Sequence, residues 1–230
     1  ADKNLIMDDE VNLYSEKIIY LSGIWNTHSG LDIERVKQVP PLINNNYLTF
    51  GSFNNFAKIN NNVVRVWSEI LKSIKNSKLI LKSSIPLQTI NIKNQFKKYG
   101  VLDSIIFSGS KPFKEHLNLY NSIDICLDTF PYNGVTTSFE ALWMGIPVLT
   151  MKGYNFNSRC GESINKNLNL MSMIADDEND YISKAKEFSD KEKLVNTRNI
   201  VFNNLLKSPL FDGKKFSKEF LGSLEAIYNK

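Results

Sequence analysis

The chain has 230 residues, of which 42% are hydrophobic and 23% charged, and its 28 basic and 24 acidic residues give a formal net charge of +4. This composition is typical of a soluble globular protein with one large domain or two small ones. The basic excess is small and forms no dense run, so nucleic acid is not indicated as a partner, whereas a modest positive bias suits an anionic small ligand.

Residues 1–46 are predicted to be irregular. Pro40 and Pro41, followed by three asparagines at Asn44 to Asn46, are typical of a linker. Regular structure is predicted to begin at Tyr47, where a short apolar strand opens a different pattern. The sequence therefore divides into residues 1–46 and a domain of residues 47–230.

Strands and helices are predicted to alternate from Tyr47 to Ala175, and further helices follow. This order predicts an α/β fold with a Rossmann-like, doubly wound parallel sheet and C-terminal helices. The predicted strands are Tyr47–Phe50, Leu79–Lys82, Ser104–Phe107, Ile123–Phe130, Val148–Met151 and Met171–Ala175. The predicted helices are Asn61–Ile74, Ile90–Tyr99, Pro112–Tyr120, one from Thr136 or Thr137 to Gly145, Asn157–Asn165, Tyr181–Phe188, Lys191–Leu206 and Lys215–Tyr228.

Four glycine-bearing turns follow predicted strands, after Phe50, Phe107, Phe130 and Met151. In a parallel sheet these turns lie at one edge, and ligands of such folds bind outside the carboxyl ends of the strands. We therefore expect a ligand site at this edge.

The segment from Leu127 to Thr150 is the most informative of the four. Its Asn133-Gly134 turn leads into a helix start at Thr136 and Thr137, where free backbone N–H groups and the helix dipole favour a phosphate. The same residues have a structural interpretation, because Thr137-x-x-Glu140 also fits a capping box. On this segment alone the structural interpretation is favoured over a ligand site.

Other polar residues near this edge are candidates, each with a structural alternative. The Lys58 ammonium could reach a phosphate or could be a solvated lysine near a helix start. The side chains of Asn54 and Asn55 could bond a ligand or shape the turn. His116 could contact a base or sugar, or could be a partly buried structural histidine.

Acidic and basic residues further along the chain also have both a ligand-binding and a structural interpretation. The Glu140 carboxylate could accept from both hydroxyls of a ribose. Arg159 could meet an anion or form a structural ion pair. Asp124 and Asp128 are not an adjacent DxD pair, so a metal site is weakly supported, and the structural interpretation of His28 is favoured.

The cysteines and histidines do not form a recognised metal-binding or redox motif. Cys126 alternates with apolar residues in a predicted strand and is interpreted as a buried thiol, and no CxxC or HExxH spacing occurs. No apolar run reaches membrane-spanning length and no secretory signal is visible, so we expect a cytoplasmic protein without a membrane partner.

Several motifs together resemble one family. The sequences YSEKI, GSFNNFAKI, LDTFPYNGVTTSFEALWMGIPVLTM and SPLFD, at residues 14–18, 51–59, 127–151 and 208–212, are similar to the catalytic region of O-GlcNAc transferases. Plant SPINDLY-type O-fucosyltransferases share the pattern, and bacterial adhesin N-glycosyltransferases are more distant. The resemblance implies the C-terminal, donor-binding half of a GT-B glycosyltransferase, with residues 1–46 as linker and remnant of the N-terminal catalytic domain.

The resemblance also implies roles for individual residues. Lys58 would contact the donor diphosphate, His116 would lie against the base, and Glu140 would hold the ribose, which favours a ligand role over the capping box. Val135 stands where animal O-GlcNAc transferases have a histidine. The implied nucleotide-sugar site comprises Asn55, Lys58, His116, Gly134, Thr136, Thr137 and Glu140.

The implied activity is inverting, metal-independent and cofactor-independent transfer of GlcNAc from UDP-GlcNAc to serine or threonine of a polypeptide. Alternatives are O-fucosyl or N-glucosyl transfer from another nucleotide sugar, and a non-catalytic nucleotide-binding scaffold. Catalytic residues are expected in the N-terminal domain, with tetratricopeptide repeats before it, so the chain alone is expected to be inactive.

Overall fold

A single sheet of six parallel strands forms the centre of the computed structural model, which describes residues 1–83 and 85–229. The spatial order is β3-β2-β1-β4-β5-β6, and every neighbouring pair is parallel. The strands are β1 (Thr49–Ser52), β2 (Lys78–Lys82), β3 (Ile105–Ser108), β4 (Ile125–Leu127), β5 (Val148–Met151) and β6 (Ile174–Ala175). The predicted α/β fold with a doubly wound parallel sheet is thereby confirmed.

Helices connect the strands and complete the chain. They are α1 (Pro41–Asn45), α2 (Asn61–Ser73), α3 (Pro86–Lys98), α4 (Phe113–Leu119), α5 (Thr136–Trp143), α6 (Phe156–Asn167), α7 (Glu178–Glu187), α8 (Lys191–Asn204) and α9 (Gly213–Tyr228). None of them, within the described residues, is long and apolar enough to cross a bilayer.

The central strands are buried on both faces, as is usual in a parallel sheet that is covered by helices. All four residues of β1 and all three of β4 are buried. Gly51 of β1 faces Ile123, and a Cβ at Gly51 would lie 2.6 Å from the Ile123 Cδ1 atom. Close packing at the centre of the sheet therefore requires glycine at this position. Cys126 of β4 is a buried free thiol, as predicted.

Element ends differ from the predictions where polar contacts intervene. The predicted strand Ile123–Phe130 shortens to β4, because Asp128 and Thr129 already belong to the hydrogen-bonded turn beyond it. Helix α3 starts four residues earlier than predicted, at Pro86, a residue type that suits the first helical position.

Residues 1–46 pack against the domain. The predicted linker at Pro41 contains the short helix α1, whose Leu42 is buried in the main core. The Asp124 carboxylate accepts from the amides of Leu42 at 2.9 Å and Thr49 at 2.8 Å, which joins this helix to the sheet. Leu5 forms a second small core cluster with Ile6 and Cys160.

The SPLFD motif, at residues 208–212, packs near α5 and bonds a residue from the first part of the chain. The amide of His28 donates to the Leu210 carbonyl at 3.0 Å, and the Phe211 ring lies 5.1 Å from the Trp143 ring. Asp212 caps α9 by accepting from the amide of Lys215. The motif therefore has a structural role, since it connects residues near the start of the chain to α5 and to the start of α9.

Candidate functional site

The centre of the sheet brings together two turns that are far apart in sequence. The strand order reverses direction between β1 and β4, which is the switch point at which open α/β sheets bind ligands. The turn after β1 carries Asn54 to Lys58, and the turn after β4 carries Asp128 to Thr137. We call these two turns together the rim.

Lys58 lies against the turn that follows β4. Its Nζ donates to the Asn133 carbonyl at 2.8 Å and lies 4.2 Å from the centre of the Tyr132 ring. An ammonium has three hydrogens, so this arrangement leaves others for a ligand. Burial lowers the pKa of Lys58, and the charge of Asp128 opposes that shift. The chain thus places a partly desolvated cation beside the start of α5.

Helix α5 begins without a cap. Its N-cap residue is Val135, whose side chain accepts no hydrogen bond, so Thr137 lies inside the helix and the capping-box interpretation is wrong. Thr136 is exposed and Thr137 partly exposed. Among the described residues, no acceptor is found for the amides of Thr136, Thr137 and Ser138. Amides without an acceptor and the positive end of the helix dipole together suit an anion.

Gly134 and Asp128 shape the turn before α5. The Gly134 amide donates to Asp128 Oδ1 at 2.7 Å, so this amide serves the turn. A Cβ at Gly134 would lie 2.6 Å from Asn54 Oδ1 and 2.7 Å from Thr137 Oγ1. Glycine is required here by the closeness of the two turns. Burial raises the pKa of Asp128 to about 6. The hydrogen bonds that its carboxylate accepts, including those from Gly134 and Thr150, act in the opposite direction and lower the pKa.

The two asparagines after β1 shape the rim. Asn54 donates through Nδ2 to Asp128 Oδ1 at 3.2 Å and accepts a short hydrogen bond from the Thr137 hydroxyl. Asn55 accepts from the amide of Ala57 at 2.9 Å and thereby begins the 3-10 turn Phe56–Lys58. In this arrangement the Thr137 hydroxyl hydrogen is directed to Asn54, while the Thr136 hydroxyl is exposed.

His116 and Glu140 contact each other directly. The distance between His116 Nε2 and Glu140 Oε2 is 3.0 Å, and both side chains are buried. A carboxylate only accepts, so Nε2 carries the hydrogen. His116 Nδ1 is buried and has no partner within the described part of the chain. The structure thus pairs the residue implied for the base with the residue implied for the ribose.

Two candidates have structural roles. Arg159 Nη2 donates to Glu10 Oε1 at 2.7 Å, and Nη1 donates to the Leu5 carbonyl at 3.1 Å, which confirms the ion-pair interpretation. The His28 Nδ1 atom accepts from the Gly30 amide at 3.0 Å. Neither residue belongs to the rim.

One largely apolar cavity lies elsewhere. It has a volume of about 390 Å³ and is bordered by Lys37 to Pro40, Gly145 and Phe202. This position is beside the amino end of β5, whereas the rim is at the carboxyl ends. The charged and donor groups of the rim suit an anionic ligand better than the lining of this cavity does.

Sequence reasoning missed two residues near Glu140. Tyr120 donates to Glu140 Oε2 at 3.1 Å, and its position four residues after His116 on a predicted helix is a signal that could have revealed it. Lys82 ends β2 near enough to Glu140 for the carboxylate charge to act on it, although burial lowers its pKa overall. A lysine at the carboxyl end of a predicted strand is a comparable signal.

Known proteins resemble this chain in sequence. The family model "Glycosyl transferase family 41" matches residues 37–220. The "Probable UDP-N-acetylglucosamine--peptide N-acetylglucosaminyltransferase SPINDLY" of Solanum lycopersicum is 36% identical over 199 residues, which is 82% of this chain and 20% of that protein. A "UDP-N-acetylglucosamine--peptide N-acetylglucosaminyltransferase" of Caenorhabditis elegans is 32% identical over 189 residues, covering 80% of this chain and 16% of that protein. The chain thus spans a fifth or less of these relatives.

Solved structures resemble it in fold. An O-GlcNAc transferase mutant of Thermobaculum terrenum superposes with a TM-score of 0.85 and 26% identity, over 99% of this chain and 43% of that one. The lipopolysaccharide glycosyltransferase WaaG matches with a TM-score of 0.56 and 11% identity, over 79% of this chain and 49% of that one, which speaks for the fold alone.

Proposed function

The chain belongs to glycosyl transferase family 41, and from this premise and the rim geometry we propose that it binds the nucleotide-sugar donor of a protein glycosyltransferase. The proposed donor is UDP-GlcNAc and the proposed acceptor is serine or threonine of a polypeptide. The names of the relatives from Solanum lycopersicum and Caenorhabditis elegans support UDP-GlcNAc as the donor and a peptide as the acceptor. Residues 47–230 are the donor-binding domain in this proposal, and residues 1–46 lead into it.

One observation carries the proposal. The Lys58 ammonium donates to the residue just before Gly134, at 2.8 Å from the Asn133 carbonyl, and α5 begins uncapped two residues later. A diphosphate placed there would meet a cation, the Thr136 hydroxyl and free amides at once. Charge-assisted hydrogen bonds of this kind are the strong ones in proteins. The same groups can stabilise the charge that develops on a leaving nucleoside diphosphate.

The proposed reaction is inverting transfer. An acceptor hydroxyl attacks the anomeric carbon of the sugar, the bond from that carbon to the diphosphate oxygen breaks, and the acceptor proton passes to a base. Lys58 and the α5 amides take the place of a metal ion at the diphosphate, so we propose that neither a metal nor another cofactor is needed. We also propose that the protein is cytoplasmic.

The remaining parts of the machinery are assigned to the rest of a longer protein. This chain covers 43% of the Thermobaculum terrenum enzyme, to which it is similar along nearly its whole length. We propose that a preceding domain supplies the catalytic base and the opposite wall of the acceptor cleft. The 230-residue chain by itself is therefore expected to bind donor without transferring sugar.

Calorimetric titration with UDP and GDP side by side, in buffer containing EDTA, tests the proposal. We expect UDP to bind more tightly than GDP and EDTA to leave the affinity unchanged. Preference for GDP would reassign the donor to a guanosine sugar such as GDP-fucose. Failure to bind either nucleotide would refute a donor site at the rim, and binding abolished by EDTA would refute metal independence.

A further inference from the structure

The two carboxylate oxygens of Glu140 have different surroundings. Oε2 lies 3.0 Å from His116 Nε2 and 3.1 Å from the Tyr120 hydroxyl. For Oε1, no protein partner is found among the described residues. One oxygen is therefore anchored by two donors, and the other is left to accept from a ligand.

The surroundings of Tyr120 keep its hydroxyl in place as a hydrogen-bond donor. Its side chain is fully buried, and its ring packs 4.6 Å from the Phe53 ring and 5.5 Å from the His116 ring. Burial raises the pKa of Tyr120 well above its usual value, so the hydroxyl keeps its hydrogen. That hydrogen has two acceptors within reach, Glu140 Oε2 and the Thr137 carbonyl at 3.2 Å.

We propose that Tyr120 is a positioning residue, which holds Glu140 so that its Oε1 atom faces the ribose hydroxyls of the nucleotide. This inference rests on the proposed function, because it assumes a nucleotide at the rim. The rings of Tyr120, Phe53 and His116 pack against one another, so the hydroxyl has a fixed place against the carboxylate. Without it, Glu140 would keep only the His116 anchor and could rotate about its side-chain bonds. The chemistry recognised is a vicinal diol, which a carboxylate binds by accepting from both hydroxyls.

The test compares UDP with 2′,3′-dideoxy-UDP, which lacks both hydroxyls, on the unaltered chain and on Tyr120→Phe. We expect the unaltered chain to prefer UDP. We expect Tyr120→Phe to weaken UDP about fivefold, the effect of one hydrogen bond, and to leave the dideoxy ligand within about twofold. Equal weakening of both ligands, or of neither, would overturn the positioning role.

Matched controls separate positioning from general destabilisation. Tyr181→Phe also removes a fully buried hydroxyl, one bonded to the Asp128 carbonyl at 3.0 Å, and it should leave the UDP preference unchanged. If Tyr120→Phe does not fold, Phe53→Leu loosens the Tyr120 ring and should reduce the UDP preference in the same selective way. A Phe53→Leu variant that keeps the full preference would count against the inference.

Failure of the inference is distinguishable from failure of the proposed function. If the unaltered chain binds UDP and the dideoxy ligand equally, the proposed donor site is retained, but Glu140 does not bind the ribose hydroxyls. The role of Tyr120 is then refuted. If the unaltered chain binds neither ligand, the proposed function is rejected and this inference with it.

Discussion

Lys58→Ala should weaken diphosphate binding selectively. The ammonium is half-buried and held at 2.8 Å from the Asn133 carbonyl beside the start of α5. A hydrogen bond to a charged group contributes roughly 1.5–3 kcal/mol, which corresponds to a loss in UDP affinity of about 10- to 150-fold. Uridine has no phosphate, so its affinity should change far less.

The measurement is calorimetry with UDP and with uridine on both proteins. Lys72→Ala is the matched control, because Lys72 also contacts an aromatic ring, at 5.9 Å from the centre of Tyr99, but lies in the last turn of α2 away from the rim. It should leave both affinities unchanged. An equal loss for UDP and uridine in Lys58→Ala would refute the phosphate role.

Three further substitutions test the rim and its support. Gly134→Ala should lower the melting temperature and the UDP affinity together, because the new Cβ would lie 2.6 Å from Asn54 Oδ1, and overpacking of this kind costs about 1–3 kcal/mol. Burial raises the pKa of Asp128 from 3.8 to about 6. Between these pH values the folded state keeps a proton that the unfolded state has released, so stability falls as the pH rises through that interval, and denaturant titrations of Asp128→Asn should lack this decline. The Arg159 hydrogen bond lowers the pKa of Glu10 from 4.5 to about 2, so its stabilisation is present above pH 4.5 and lost as the pH falls towards 2; Glu10→Gln should melt lower at pH 7 and match the unaltered protein at pH 2.

Local patterns were enough to predict the sheet and the edge at which the candidate site lies. Alternating apolar strands and helices are a short-range signal, and parallel pairing follows from the connecting helices. Turn residues such as Asn133 and Gly134 mark where the strands end, so the rim could be located from them.

Contacts between distant elements could not be predicted in the same way. The bond between His116 and Glu140 joins two helices, and nothing in either local pattern specifies it. The capping-box interpretation is wrong for a related reason, since Glu140 is held by His116 and Tyr120 instead of reaching back to its own helix start. The packing of α1 depends on Asp124, which lies 82 residues after Leu42.

The pairing of β1 with β4 has a consequence for folding. These neighbours at the sheet centre are distant in the chain, and Asp124 bonds the amide of Thr49 across 75 residues. A long stretch must close into a loop before the two turns of the rim can meet, and such non-local contacts are slow to form. The groups of the rim that we propose to bind phosphate therefore assemble late in folding, and a nucleotide added during refolding should bind only after the central strands have joined.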